Sequence, residues 1–444
     1  MSGHTMLDIV LKDILHVITP LQEDWAIRFA IINDLRRVVE SVGSLRGANV
    51  EPYGSFVSNL FTRWGDLDIS VELLNGSHIP ATGKKQKQAL LGDLLKALRR
   101  QGRWNSLQFI INARVPILKL KNNRQSISCD ISINNVEAQM KSKILLWINK
   151  IDARFREMVL VVKEWAKAHN INDSKAGTFN SYSLSLLVIF HFQTCVPAIL
   201  PPLKDIYPNN MVDDLIGVKV EAENLIAEKF DVNINRFLSD RSRPINRKSV
   251  PDLFVEFLRK FAQMNEWAPE LGICPFTGQW EQIKNNMRWL PKTYAIFVED
   301  PFEQPQNSAR TVSAAKLNKI TDAFLRTYSL LTSKNLDQKS LLTYLATPQV
   351  AMFITQPILP THSVSYQHPT QPQVQRAPRP HLRPRPHPQP QQQQQQQPQS
   401  QSQSQSQPPR RSRNGRQGTS SSGSTSRGPM QAHQGQQIWR QKTQ

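Results

Sequence analysis

The chain has 444 residues and a formal charge of +20, a length for two or three domains and a balance that favours an acidic partner such as nucleic acid. Its three cysteines, at 129, 195 and 274, are too few and too far apart for a disulfide framework or a Cys-type zinc site. Isolated thiols, no apolar signal core at the N-terminus and no apolar run near the ~20 residues of a membrane span predict a soluble, intracellular protein.

In chain order, Thr19-Pro20-Leu21-Gln22 reads as an N-cap, a proline at the first helical position and a capping-box glutamine. Ile27, Ala30, Ile31, Leu35 and Val38 follow at helical steps, with Gly43 and Gly47 ending the pattern. Residues 1–42 are therefore expected to form N-terminal helices packing on a helical domain. From 43 to 139 short β-prone runs appear, at 68–73, 109–111, 115–120 and 127–133. One helix interrupts them, carrying Leu90, Leu91, Leu94, Leu95 and Leu98, which predicts a small α+β domain with a mixed sheet. Residues 140–347 read as mainly helical, with periodic runs at 159–168, 182–192 and 253–264. Residues 348–444 carry 11 basic and no acidic side chains, half of the 30 prolines and a glutamine run. They have too few apolar residues for a core, so they are expected to be a disordered basic tail.

The most informative stretch is Gly54-Ser55 followed by Asp66-Leu67-Asp68. In a strand, residues i and i+2 share a face, so Asp66 and Asp68 would stand side by side while Leu67 and Ile69 face the core. Crowded carboxylates call for a cation, and hard oxygen ligands suit Mg²⁺. Two unremarkable acids on a solvated edge strand would read the same way. Asp130 adds a third acid to a strand in which Ile127, Cys129, Ile131 and Ile133 alternate against it. If the strands are neighbours, three carboxylates can hold two metals for phosphoryl chemistry. Gly54 permits close backbone approach, and Ser55 can open a short helix aimed at a phosphate.

Gly54-Ser55, Asp66-Leu67-Asp68 and Cys129-Asp130-Ile131-Ser132 resemble the signature of DNA-polymerase-β-like nucleotidyltransferases. Residues 162–167, Asn180-Ser181-Tyr182-Ser183 and Glu299-Asp300-Pro301-Phe302 resemble the poly(A)-polymerase-associated branch, which includes terminal uridylyltransferases. With its Gln-rich basic tail the chain is most similar to the plant enzymes that uridylate small RNAs. The resemblance implies a nucleotidyltransferase palm over 43–139 and a poly(A)-polymerase-associated domain over 140–347. It makes Asp66, Asp68 and Asp130 the catalytic, metal-holding residues, with Mg²⁺ or Mn²⁺. Gly54, Ser55, Lys163, Lys167 and Ser181 become triphosphate contacts, and Tyr182 the ring that stacks on the base. Asp300, Glu303 and Gln306 fall on the base-recognition loop, and Arg310 becomes an RNA contact.

Two positions depart from the branch. Several uridylyltransferases have histidine where Gln306 stands, and glutamine, with both a donor and an acceptor, does not choose a base by itself. Lys141-Ser142 stands where relatives have Asn-Thr near the ribose. The resemblance further implies UTP as substrate, RNA 3′ ends as acceptors, Argonaute-type small-RNA complexes as partners, a role in RNA turnover, and residence in cytoplasm and nucleus without membrane contact. A poly(A) polymerase using ATP and an inactive nucleotidyltransferase fold serving as an RNA-binding scaffold are the competing readings.

Overall fold

The computed structural model describes residues 3–73, 79, 82–122, 127–290, 293–333 and 336–356. Two helices open the chain, α1 (Gly3–Ile18) and α2 (Gln22–Glu40). The second starts later than Thr19-Pro20 suggests, because the Asp24 carboxylate accepts the Leu21 N–H at 2.8 Å and caps the first turn.

Five strands follow: β1 (Asn49–Tyr53), β2 (Leu67–Glu72), β3 (Trp104–Ile110), β4 (Ile117–Asn122) and β5 (Ser128–Ile133). The sheet order is β1-β2-β5-β4-β3, with β2 and β5 parallel and the other neighbours antiparallel. Between β2 and β3 lies α3 (Lys84–Gln101), whose five leucines at 90, 91, 94, 95 and 98 are buried against the sheet. Each such leucine stabilises the packing by about 1.5–3 kcal/mol.

Helices dominate afterwards: α4 (Val136–Asn149), α5 (Arg154–Ala168) and α6 (Ser181–Thr194), then Lys219–Ser239, Val250–Phe261, Ala314–Leu331, Gln338–Leu345 and Pro348–Thr355. A two-stranded ribbon, β6 (Leu271–Cys274) and β7 (Gln279–Gln282), interrupts this mainly helical part. Every residue of α6 from Ser183 to Gln193 is buried, so this helix is a central post rather than an amphipathic facing.

Among the described residues, two of the hydrophobic clusters divide the N-terminal helices between them. Leu7, Val10, Leu11, Ile14 and Ile18 of α1 join the helical cluster. Ile31, Ile32, Leu35, Val38 and Val39 of α2 join the sheet cluster. The residues expected to pack together over 1–42 are thus divided, α1 joining the helical cluster and α2 the sheet cluster. The basic tail is also shorter than expected at its start. Residues 348–355 are helical, with Pro348 in the first turn, Val350 buried, and the Thr347 N–H and hydroxyl both donating to Glu164 Oε1, at 2.9 and 2.7 Å. The rest of that segment, 357–444, lies outside the described residues. Among the described residues no helix is long and apolar enough to cross a membrane, and the three cysteines are buried free thiols.

Candidate active site

The alternation of β2 buries Leu67 and Ile69 completely and turns Asp68 to the opposite face. Because β2 and β5 run parallel in register, Asp68 stands directly opposite Asp130. On the other side of β5, Lys119 of β4 is in register with Asp130. Its ammonium lies 3.1 Å from Asp130 Oδ1 and 3.2 Å from Asp66 Oδ2. Asp66 itself is half exposed just before β2. Its segment is braced by Arg28, which is fully buried and donates to the carbonyls of Arg63 (3.1 Å) and Gly65 (2.7 Å).

Gly54 closes the carboxylates from behind. Its φ of +68° suits glycine, and a Cβ there would run into Asp68 Oδ2 well inside van der Waals contact. Its N–H donates to Ser142 Oγ at 2.7 Å. No helix opens at Ser55; the Ser58 and Leu60 N–H groups turn back onto Gly54 O and Ser55 O, so the expected phosphate-facing helix terminus is a run of turns.

Burial, reinforced by repulsion from Asp130 and Asp66, pushes the Asp68 carboxyl up to about 7. Burial likewise raises Asp130 against the opposing pull of Lys119. Among the described residues no group of three or more His, Cys, Asp or Glu side chains is drawn together tightly enough to hold a metal; the Lys119 ammonium lies between Asp66 and Asp130 instead. The donor chemistry nevertheless fits a hard divalent cation. The three acids supply carboxylate oxygens, and Asp130 Oδ1 is buried without a hydrogen bond, though the Lys119 ammonium is near.

Across a cavity of about 590 Å³ stands the helical wall. Lys163 and Lys167, one turn apart on α5, line it together with Ser181, Tyr182 and Asn172. Lys163 is buried and donates to Leu60 O at 2.8 Å. Burial, with Lys167 adding to it, pulls its amine down to about 7 against the attraction of Asp68. Ser181 exchanges hydrogen bonds with the Asn172 amide, at 3.2 and 3.3 Å. The Tyr182 hydroxyl donates to Asp300 Oδ1 at 3.0 Å, and burial and Asp300 both hold that phenol well above its ordinary value.

Lys141 ties this wall to the loop beyond it. From α4 it donates to Asp300 Oδ2 at 2.5 Å and to Glu303 Oε2 at 2.8 Å, and its ammonium lies 5.5 Å from the centre of the Tyr182 ring. Arg114 completes a bidentate pair with Glu303, at 2.8 and 3.1 Å. The root of the loop is pinned by Glu299, fully buried, which accepts from Trp289 Nε1 at 3.0 Å and Cys274 Sγ at 2.9 Å.

The structure thus gathers Gly54, Ser55, Asp66, Asp68, Lys163, Lys167, Ser181 and Tyr182 around one cavity. Asp130 joins through the β2–β5 register, and Asp300 and Glu303 through Lys141 and Tyr182. Gln306 reaches the network through its backbone, exchanging bonds with Asp300 N and Glu303 O at 2.8 Å, and its side chain does not line the cavity. Arg310 is exposed on the same loop and also stands outside the lining. Sequence reasoning missed Lys119, Arg114 and Arg28. The first was within reach, since Leu118 and Leu120 are buried and alternation turns Lys119 to the acidic face. Lys141-Ser142, noticed as a departure from the ribose-contacting pattern, proves to hold the loop and Gly54.

The family of the central palm domain of mitochondrial-like poly(A) RNA polymerases matches residues 7–150. Over 334 residues the chain is 60% identical to Protein HESO1 of Arabidopsis thaliana, covering 75% of this chain and 65% of that protein. It is 28% identical over 307 residues to the terminal uridylyltransferase cid1 of Schizosaccharomyces pombe, covering 65% of this chain and 70% of that one. A solved cytoplasmic RNA terminal U-transferase shares the fold with a TM-score of 0.58 at 24% identity, over 78% of this chain and 99% of its own. With two parallel strands presenting Asp68 and Asp130, the chain is similar in fold and in sequence to poly(A) RNA polymerases and terminal uridylyltransferases.

Proposed function

We propose that the chain is a template-independent RNA 3′-terminal nucleotidyltransferase that adds UMP from UTP and so marks RNA for turnover. The observation that carries this reading is Asp68, lining the cavity and in register with Asp130 across β2 and β5, with Lys163, Lys167, Ser181 and Tyr182 on the far side. Asp66, Asp68 and Asp130 would hold Mg²⁺ or Mn²⁺, which when bound neutralises their repulsion, lowers the pKa of the RNA 3′-hydroxyl and shields the α-phosphate.

Lys163 and Lys167 take the triphosphate and the departing pyrophosphate, with the Ser181 hydroxyl as a further donor. Tyr182 offers its ring to the base, its hydroxyl fixed by Asp300. Lys141 and Arg114 hold Glu303 and Asp300 beside that ring, so the loop is organised before a nucleotide arrives. The uracil preference is supported by the likeness to cid1 and to the U-transferase structure. The small-RNA substrates, the Argonaute-type partners and the cytoplasmic and nuclear residence rest on the resemblance to plant enzymes.

The test is the full-length protein with a labelled RNA oligomer, Mg²⁺ and each nucleoside triphosphate in turn. A ladder of products with UTP is expected. A longer ladder with ATP would make it a poly(A) polymerase, and no product with any nucleotide would leave a scaffold.

A further inference from the structure

Trp64, on the lining of the cavity, and Phe353, stacked on it, are two exposed aromatic rings. Trp64 stands two residues before Asp66 and is 39% exposed, and Phe353 is 46% exposed. The rings stack, with centroids 5.6 Å apart and planes within 24°. The Arg63 guanidinium lies 5.8 Å from the centre of the Trp64 ring. Neither ring sits on a loose segment. Arg28 holds the carbonyls on both sides of Trp64, and the Phe353 helix is fastened by Val350 and by Thr347 against Glu164. Nearby Phe56 and Phe61, which serve packing, are buried instead.

We propose that Trp64 and Phe353 form a stacking platform for unpaired bases of an RNA just upstream of its reacting 3′ end, with Arg63 on an adjoining phosphate. This rests on reading the cavity as an RNA 3′-end nucleotidyltransferase site, and it adds where the RNA enters. Aromatic faces stack on any base, which suits an enzyme that reads no template. Charge points to the same occupant. The chain beyond Gln356, three residues after Phe353, carries 11 basic and no acidic side chains to its end, the balance that neutralises a phosphate backbone.

The experiment is equilibrium binding of a 5′-labelled single-stranded RNA to the full-length protein without nucleotide. The same RNA carrying abasic riboses at its last four positions is measured alongside. The intact RNA should bind about tenfold more tightly than the abasic one, as one good base–aromatic stack allows. Trp64→Leu and Phe353→Ala should bring that ratio close to one, and Trp64→Phe should restore most of it. Leucine keeps bulk at the site without a π face, so the ratio stays measurable should smaller residues unfold the protein. A parent ratio near one overturns the proposal. So does an unchanged ratio in the variants with a lowered melting temperature, which would make the stack a fastener for the Phe353 helix. Variants that bind RNA more tightly than the parent would show the chain's own tail on the rings, and would overturn it too. Binding is read without transfer, so this proposal and the enzymatic reading fail separately.

Discussion

The two walls of the cavity are built on different principles. The sheet wall gets its geometry from strand register, in which Asp68, Asp130 and Lys119 are consecutive rungs across β2, β5 and β4. The helical wall gets its geometry from side chains, with Lys141 of α4 gripping Asp300 and Glu303 across 159 and 162 residues of sequence. Backbone hydrogen bonds hold the first in place whatever the side chains do. In the second, the loop carrying Asp300 and Glu303 leans on ion pairs as well as on backbone bonds. On the proposed reading the chemistry sits on the sheet wall and the choice of nucleotide on the loop of the other, a division that would let specificity change without dismantling the reaction.

The largest effect should come from the sheet wall. Asp66→Ala or Asp130→Ala is expected to abolish nucleotide addition, a loss of about a thousandfold or more, while cooperative melting is kept, because the register survives the side chain. Activity in either variant, followed with labelled RNA, would erase the distinction between the walls. On the helical wall, Lys141→Met leaves Asp300 and Glu303 without their buried cation. Breaking such a pair costs roughly 3–5 kcal/mol, though Arg114 retains Glu303. A fall in melting temperature with a raised KM for nucleotide is expected, and an unchanged KM would detach the loop from nucleotide binding.

Acid should weaken the helical side through His191, buried inside α6. Burial, with Lys260 and Lys248 adding to it, pulls its imidazole from 6.5 down to about 3. The unfolded chain takes up a proton near 6.5 and the folded one near 3, so this contribution to stability is full above 6.5. It is lost as pH falls toward 3, at up to about 1.4 kcal/mol per pH unit. His191→Leu should flatten that part of a melting-temperature profile; an unaltered slope would assign the acid sensitivity elsewhere. The smallest effect is expected from Gln306→His, a few-fold to about tenfold gain in UTP over ATP, as one placed hydrogen bond of roughly 0.5–1.5 kcal/mol allows. An unchanged ratio would mean that the side chain stays outside the cavity when nucleotide binds.

The difference between the walls also decides what could be read in advance. Period-two alternation around Asp68 and Asp130 is written locally, so both carboxylates and the burial of Leu67 and Ile69 were legible from spacing. Lys163, Lys167 and Tyr182 were legible only through resemblance, since two lysines on one helix face look the same on any solvated surface. The Lys141 network was not legible, because nothing in a single sequence couples residues so far apart. Strand β1 escaped notice because Asn49-Val50-Glu51-Pro52-Tyr53 lacks an apolar run; it forms because its partner β2 offers an edge. The partition of α1 and α2 between two cores was hidden for a related reason. Both have an apolar stripe, and the stripe does not say which neighbour covers it.

The parallel pairing of β2 with β5 has a consequence for how the protein comes to exist. Asp68 and Asp130 are 62 residues apart in the chain, and parallel neighbours cannot be joined by a tight turn. Here the crossover carries α3, β3 and β4. The two carboxylates meet only once β5 lies between β2 and β4, which makes their encounter one of high contact order and slow to form. A nascent or partly unfolded chain can then keep its acids apart, one on the β1–β2 pair and the other on the β3–β4–β5 run. On the proposed reading, competence for transfer comes only with the pairing of β2 and β5.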